Sequence, residues 1–330
     1  MRHGKVNLLV IGGGSIGQRH LRNLKTVSGV TVEACTRNAE VGPMLEVCTY
    51  KALADAWENR PAAAVIANAT NEHVPAALAA AERGCHLLIE KPLSHALEGI
   101  AELKQVRDRR KLVVLVGCNM RFHPALRAVK RALDEKAVGR ALAVEAHCGS
   151  YLPDWRPLRD YRASYSSRET QGGGVVLDMI HELDYLYWFF GEARAVTAFV
   201  DHRSPLDLDC EDVADILLRF ECGLVAQVHL DYFQRPPTRG CRIVGEDGTI
   251  VWNDEQGQVF VLKPGLPDRV LWVAPVGYDR NHMYMDEAHH FLDCIRTGKA
   301  PLISLEDGEA VLRIALAAKK ASREARVVVL

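Results

Sequence analysis

Residues 5–17 read Lys-Val-Asn-Leu-Leu-Val-Ile-Gly-Gly-Gly-Ser-Ile-Gly. Lys5–Ile11 is a short β-rich run, and Gly12, Gly14 and Gly17 then fit the spacing G-x-G-x-x-G. In such a turn the first glycine permits the sharp bend and the second lets a pyrophosphate approach the backbone. The third lets helix and strand pack closely, with the helix N-terminus facing the phosphates. Alone the pattern is a weak signal. Here it follows a strand, opens a helix predicted over 15–27 and heads a series of strand–helix units, which is the context a dinucleotide site requires. Gly12, Gly14, Ser15, Ile16 and Gly17 are therefore expected to hold a dinucleotide. The competing readings are a purely structural turn and a flavin or methyl-donor site.

Outward from this turn, strands predicted at 30–35, 63–67, 86–90 and 112–117 alternate with helices at 52–59, 73–83 and 95–109. The strands are apolar throughout, as expected when helices cover both faces of a parallel sheet. Residues 1–120 are thus expected to form an α/β, doubly wound Rossmann domain. Beyond that point a helix begins at Pro124 (124–135), and a strand follows near 140–148. A Tyr-, Arg- and Ser-rich loop covers 151–171, and a helix is predicted over 178–190. Seven β-like segments follow, at 194–201, 213–220, 223–231, 240–245, 248–252, 258–262 and 270–274. Successive strands joined by short turns imply a large, mostly antiparallel open sheet in a C-terminal α+β domain, 121–330. Helices at 282–296 and 306–323 and a short strand at 326–330 close the chain, the C-terminal helix being a candidate to pack back on the first domain.

Bulk properties agree. A chain of 330 residues suits two domains, and 48% hydrophobic with 25% charged residues is ordinary for a globular protein. A formal net charge of -1 argues against a nucleic-acid partner. No run approaches the ~20 apolar residues of a membrane span. The N-terminal apolar run is too short for a signal peptide, and nine cysteines without a C-x-x-C pair suit reduced thiols, so a cytoplasmic location is expected. No metal site is expected: His181-Glu182 lacks the second histidine of a zinc helix, and a solvated helix face accounts for His289, His290 and Cys294.

Two strand ends carry chemistry. The second strand ends in Cys35-Thr36-Arg37-Asn38, without the Asp or Glu that holds the ribose hydroxyls of NAD; Glu33 lies inside the strand. Thr36 and Arg37 leave room for a 2′-phosphate, so NADP is slightly favoured over NAD, the other reading being an ordinary surface arginine. The segment Leu87-Leu88-Ile89-Glu90-Lys91-Pro92 puts a lysine at the carboxyl end of a parallel strand, where ligands bind in such sheets. A desolvated lysine there can hold or donate the proton of a reacting hydroxyl.

Taken together, these motifs resemble the Gfo/Idh/MocA family, which includes glucose–fructose oxidoreductase and inositol dehydrogenase. The resemblance spans essentially the whole chain. It rests on the glycine turn, Glu90-Lys91-Pro92, Ala67-Asn68-Ala69-Thr70-Asn71-Glu72-His73, Asn119-Met120-Arg121-Phe122-His123-Pro124, and Gly172-Gly173-Gly174 followed by His181-x-x-Asp184. Asn68 and Ala69 replace the family's usual Thr and Pro. The resemblance implies NAD(P)-dependent hydride transfer at a carbinol carbon of a sugar, cyclitol or sugar derivative. It also implies a homodimer or homotetramer. By it, Lys91 and His181 are catalytic, with Asp178 a partner of the histidine or substrate, although family members often carry that aspartate one residue earlier, at the position of Leu177. Asn68, Thr70, His73 and Glu90 join the cofactor set, and Asn119 and Arg121 the substrate set. In the 151–171 loop, Trp155, Arg162 and Tyr165, with Arg156, Tyr161 and Arg168, form either a sugar platform or a subunit contact. Two rivals remain on the same fold: a non-catalytic dinucleotide sensor, and an enzyme that uses nicotinamide transiently without net redox change.

Overall fold

The computed structural model describes residues 6–330, so Lys5, with which the first strand was expected to begin, lies outside the described residues. The chain divides into two compact units. The first runs to Cys118 and also takes in Asn281–Glu309. The second comprises Asn119–Arg280 and Ala310–Leu330.

The first unit carries β1 (Val6–Ile11), α1 (Ser15–Lys25), β2 (Val30–Cys35), α2 (Val41–Leu45), β3 (Thr49–Tyr50), α3 (Leu53–Trp57), β4 (Ala63–Ile66), α4 (His73–Ala81), β5 (His86–Glu90), α5 (Ile100–Arg110) and β6 (Val114–Gly117). Its six strands form one parallel sheet in the order β3-β2-β1-β4-β5-β6. The order reverses beside β1, so the glycine turn lies at the switch point where such sheets bind ligands. Strands β4 and β6 are buried at every residue, which explains their unbroken apolar runs. The late segment supplies α9 (Asn281–Thr297), which packs on α1: the Asn23 and Asn281 amides exchange hydrogen bonds at 3.1 and 2.9 Å, and the Arg19 guanidinium lies 4.4 Å from the Tyr284 ring. Element α2 and strand β3 were not read from the sequence, because five and two residues are too short to show a period. Helix α5 starts at Ile100 rather than 95, because Gly99 has a left-handed φ of 79°.

The second unit contains α6 (Pro124–Asp134), β7 (Ala141–Gly149), α7 (Val175–Asp178), α8 (His181–Phe190), β8 (Ala193–Asp201), β9 (Val213–Phe220), β10 (Val225–Asp231), β11 (Thr238–Gly245), β12 (Thr249–Asn253), β13 (Gln258–Leu262), β14 (Arg269–Val273) and β15 (Val328–Val329). Helix α10 (Leu305–Glu324) has its larger part here. The nine strands form one sheet, β14-β13-β12-β11-β7-β10-β9-β8-β15, in which only β7 and β10 pair in parallel. One face is covered: α6, α7 and α8 pack on it, and along β9 it buries Ala214, Ile216, Leu218 and Phe220. The other face exposes Asp215, Leu217 and Arg219 on β9 and Arg242 and Val244 on β11. The expected open, mostly antiparallel sheet is therefore present.

The helix expected over 178–190 is two helices. The backbone leaves helical geometry at Met179, with φ −95° and ψ 34°, so α7 ends on Asp178 and α8 restarts on His181. Both residues of interest thus stand at helix ends instead of inside one continuous face. Among the described residues no helix is long and apolar enough to cross a membrane.

Candidate active site

In the first unit the site is built on the carboxyl edge of the sheet. Gly12 has φ 115°, and a Cβ there would stand 2.3 Å from the Ala67 carbonyl oxygen. A Cβ on Gly17 would stand 2.0 Å from the Gly12 carbonyl oxygen. These two glycines are demanded by the protein itself. Gly14 differs: a Cβ built on it meets nothing within 4 Å. It is the N-cap of α1, yet no side chain caps the helix, and Gly14 and Ser15 are exposed. The turn therefore presents uncapped amide groups and open space at the positive end of a helix, the arrangement that suits a pyrophosphate.

At the tip of β2, the Thr36 hydroxyl accepts from the Asn38 amide at 3.0 Å and packs against Gly13, where a Cβ would meet it at 2.1 Å. Arg37 is exposed. Glu33 accepts from the Asn59 amide, so its carboxylate is engaged within the strand region. At the end of β4, Asn68 donates to the Glu72 carbonyl and carboxylate. Thr70 is buried. His73 is buried too, with Nδ1 2.9 Å from the Pro92 carbonyl and Nε2 3.3 Å from that of Asn68. Burial holds its pKa below the ordinary value, so the neutral ring donates to one of these two carbonyls, the shorter contact being the one to Pro92 after β5. Among the expected cofactor residues, His73 is thus a strut of the site's floor.

Lys91 follows β5 directly, and its peptide bond to Pro92 is cis. Glu90 is buried; its Oε1 lies 2.6 Å from His20 Nε2, and its Oε2 accepts from the Lys91 amide at 3.3 Å. The acid preceding Lys91 therefore faces inward and fixes the backbone that carries the lysine.

In the second unit, Asp178 is buried at the end of α7, and its carboxylate accepts from the Tyr165 hydroxyl at 2.8 Å and the Tyr232 hydroxyl at 3.2 Å. Burial, reinforced by the Asp178 charge, pushes the Tyr232 phenol well up, so it stays a donor. Trp155 stands edge-on to Tyr232 at 5.4 Å and donates to the Ser150 hydroxyl at 2.7 Å. The structure thereby brings together Asp178, Tyr165 and Trp155, three residues singled out in sequence, around Tyr232, which was not. Tyr232 had no local signal; only its strand neighbours bring it there. His181 opens α8 and is partly exposed.

Other expected substrate residues are placed differently. Arg162 is exposed, and its guanidinium forms a bidentate contact with Asp160. Asn119 and Arg121 are 4% and 2% exposed, and Arg121 grips Asp184 through Nε at 3.1 Å and Nη2 at 2.8 Å. Asp184 sits one turn beyond His181, so this buried pair anchors the start of α8. Glu182, fully buried, is held by Arg239 at 2.7 Å in the same way. His123 caps α6 by accepting from Ala125 and packs edge-on to Trp272 and Tyr278; burial pushes its pKa down to about 4. Near the far end of α9, His290 accepts from the Leu302 amide at 2.8 Å and lies 3.5 Å from Cys294.

With this geometry in hand, comparison with known proteins is informative. Residues 6–118 match the oxidoreductase family with an NAD-binding Rossmann fold, and residues 126–251 match the GFO/IDH/MocA C-terminal domain. The chain belongs to the Gfo/Idh/MocA family of oxidoreductases. It is 28% identical to myo-inositol 2-dehydrogenase from Thermotoga maritima, over 97% of each chain. It is 23% identical to scyllo-inositol 2-dehydrogenase (NAD(+)) from Bacillus subtilis, over 98% of this chain and 95% of that one. A solved structure of levoglucosan dehydrogenase in complex with NADH shares the fold, with a TM-score of 0.88 at 22% identity over 98% of both chains.

The glycine geometry separates folding from binding. Gly14→Val should leave the melting temperature within about 2 °C, yet abolish NAD(H) and NADP(H) binding in calorimetry, because its side chain fills the space a pyrophosphate needs. Gly17→Ala should cost about 1–3 kcal/mol and lower the melting temperature, because its Cβ collides with backbone. Normal cofactor affinity in Gly14→Val would place the dinucleotide elsewhere.

Proposed function

We propose that this chain oxidises or reduces one hydroxyl-bearing carbon of a sugar, a cyclitol or a sugar derivative, with NAD(H) or NADP(H) as the redox partner. The observation that carries the reading is the uncapped glycine turn on the same sheet edge as Lys91, a cationic strand end whose backbone is fixed by a buried acid. Similarity to inositol dehydrogenases along the whole chain supports the substrate class.

The turn Gly12–Gly17, with Ser15 and Ile16, would hold the pyrophosphate, and Thr36 and Arg37 the adenosine ribose. When bound, the nicotinamide supplies or accepts the hydride. Lys91 holds the reacting hydroxyl oxygen by hydrogen bond and stabilises negative charge growing on it. His181 takes the hydroxyl proton in oxidation and returns it in reduction. Asp178, clamped by two tyrosine hydroxyls, orients polar groups at the end of α7, and Trp155 and Tyr165 offer ring surface to the apolar face of a sugar. Arg121 acts through Asp184 on the position of His181 instead of touching substrate.

Three measurements test this reading. A panel of cyclitols, sugars, sugar acids and nucleotide sugars, followed by nicotinamide absorbance, should reveal turnover. On the substrate found, Lys91→Met and His181→Phe should each cut kcat by about 10²–10⁴ while cofactor affinity stays within a small factor. The double variant should lose less than the product of the single losses if both groups serve one proton; near-normal turnover in either single variant removes that residue from the chemistry. For the cofactor, Arg37→Ala should weaken NADP(H) much more than NAD(H), since a guanidinium contact to a 2′-phosphate is charge-assisted. Equal losses, or a wild-type preference for NAD(H), would refute the favoured NADP(H). Finally, the open sheet face, with exposed Leu217 and Val244, is assigned to a homodimer or homotetramer contact; a monomeric mass by light scattering at micromolar concentration would exclude it. A cytoplasmic location fits these roles.

A further inference from the structure

One group of ionisable side chains in the first unit contains two, His20 and Glu287, that the mechanism above does not use. His20 from α1, Glu90 from the end of β5 and Glu287 from α9 each turn a ligand atom toward the others, all within 4.8 Å, and all three are buried. Glu287 is 0% exposed, and neither of its oxygens has a hydrogen-bond partner among the described residues. Glu90, in contrast, is occupied on both oxygens, by His20 and by the Lys91 amide.

Charge decides what such a cluster can be. One imidazole stands against two carboxyl groups. Two buried carboxylates a few ångströms apart would each lose hydration and repel the other, a far larger penalty than the single pair. Either a cation joins them or one carboxyl keeps its proton. Burial first, and the neighbouring Glu90 second, hold the Glu287 carboxyl well above the usual range. The other charged groups around it belong to the same unit. Tyr284, one turn earlier on α9, feels Glu90, Arg19, Lys91 and Glu287, and His73 from α4 feels Glu90 and Lys91. His20 Nε2 already stands 2.6 Å from Glu90 Oε1, closer than a metal ion would allow two of its ligands without parting them.

We infer that Glu287 is a positioning residue: as a neutral acid it serves as proton donor to the Glu90 carboxylate, and so steadies the strand end that presents Lys91. The importance of Lys91 rests on the function proposed above; the protonation of Glu287 does not. A neutral acid leaves one negative charge, not two, beside the lysine, and its hydroxyl gives Glu90 a third donor besides His20 and the Lys91 amide. The helix that the glycine turn opens, the strand that ends in Lys91 and α9 then meet on the Glu90 carboxylate.

The test uses the full-length protein in wild-type, Glu287→Gln and Glu287→Leu forms. Difference infrared spectra at neutral pH, wild type minus Glu287→Gln, should show the carbonyl stretch of a protonated carboxylic acid. Stability gives the second reading. A carboxyl whose folded pKa is raised contributes stability fully below its unfolded value, about 4.3, and loses it as pH climbs toward the folded value. The melting temperature of Glu287→Gln, which cannot ionise, should therefore gain on wild type steadily from pH 5 to pH 8. The third reading is the titration of Lys91, followed by ¹³C NMR of the reductively methylated protein and assigned with Lys91→Met. Its midpoint should move by about half a pH unit or more in Glu287→Leu, which lacks a donor, and by less in Glu287→Gln, which keeps one. A carboxylate band in place of the acid, or a wild-type melting temperature that falls on adding EDTA while that of Glu287→Gln does not, would overturn the inference in favour of an ionised metal ligand. An unmoved Lys91 midpoint in Glu287→Leu would overturn the positioning role. If Lys91→Met turns over normally, the proposed chemistry fails, while the infrared and melting readings still decide the state of Glu287.

Discussion

The first unit depends on a contact between two pieces of backbone. Gly17 in α1 approaches the Gly12 carbonyl, and Gly12 approaches the end of β4, so closely that neither position has room for a single carbon. That closeness sets how near α1 lies to the sheet, and hence that His20 reaches Glu90 at the end of β5. It also aims the helix N-terminus over the carboxyl edge. Where the chain needs no such approach, at Gly14, the space is left open. One motif therefore contains two kinds of glycine, and only the geometry tells them apart.

The second unit solves a different problem. Its sheet is buried on one side, so alternation along β9 is clean, whereas the parallel strands of the first unit show none. On the covered side the start of α8 is held by two ion pairs, the buried Arg121–Asp184 and the pair of buried Glu182 with partly buried Arg239. Pairs of this kind gain little stability over apolar packing, but breaking one is expensive, so they fix the register of α8 against the sheet.

The parts of this architecture legible in sequence were those with a period or a local chemical constraint. Strands β2, β5, β9 and β13 are found at the residues the apolar runs mark, and the glycine turn declared itself through spacing. The break between α7 and α8 was not legible, because Asp178 through Phe190 has an unbroken helical composition, and the interruption at Met179 belongs to the packing around Asp178. Arg121 entered the substrate set through the family motif at Asn119–Pro124; its pairing with Asp184, 63 residues away, was not legible because no local rule connects the two. Glu287 and Tyr232 were invisible for the same reason. A buried polar side chain in a helix or strand reads as a surface residue until the elements that cover it are known.

The return of Asn281–Glu309 to the first unit bears on how the chain is made. Synthesis runs from the N-terminus, and most domains can close as soon as their last residue leaves the ribosome. Here the unit that begins first lacks α9 until the second unit's residues 119–280 have been made. During that interval the face of α1 that carries Asn23 and Arg19 has neither Asn281 nor Tyr284 against it, and Glu90 and His20 stand without the helix that later seals them from water. The sheet can form early, but the nucleotide-binding unit is finished by a segment far along the chain, so a chain cut anywhere before residue 281 loses part of its first unit.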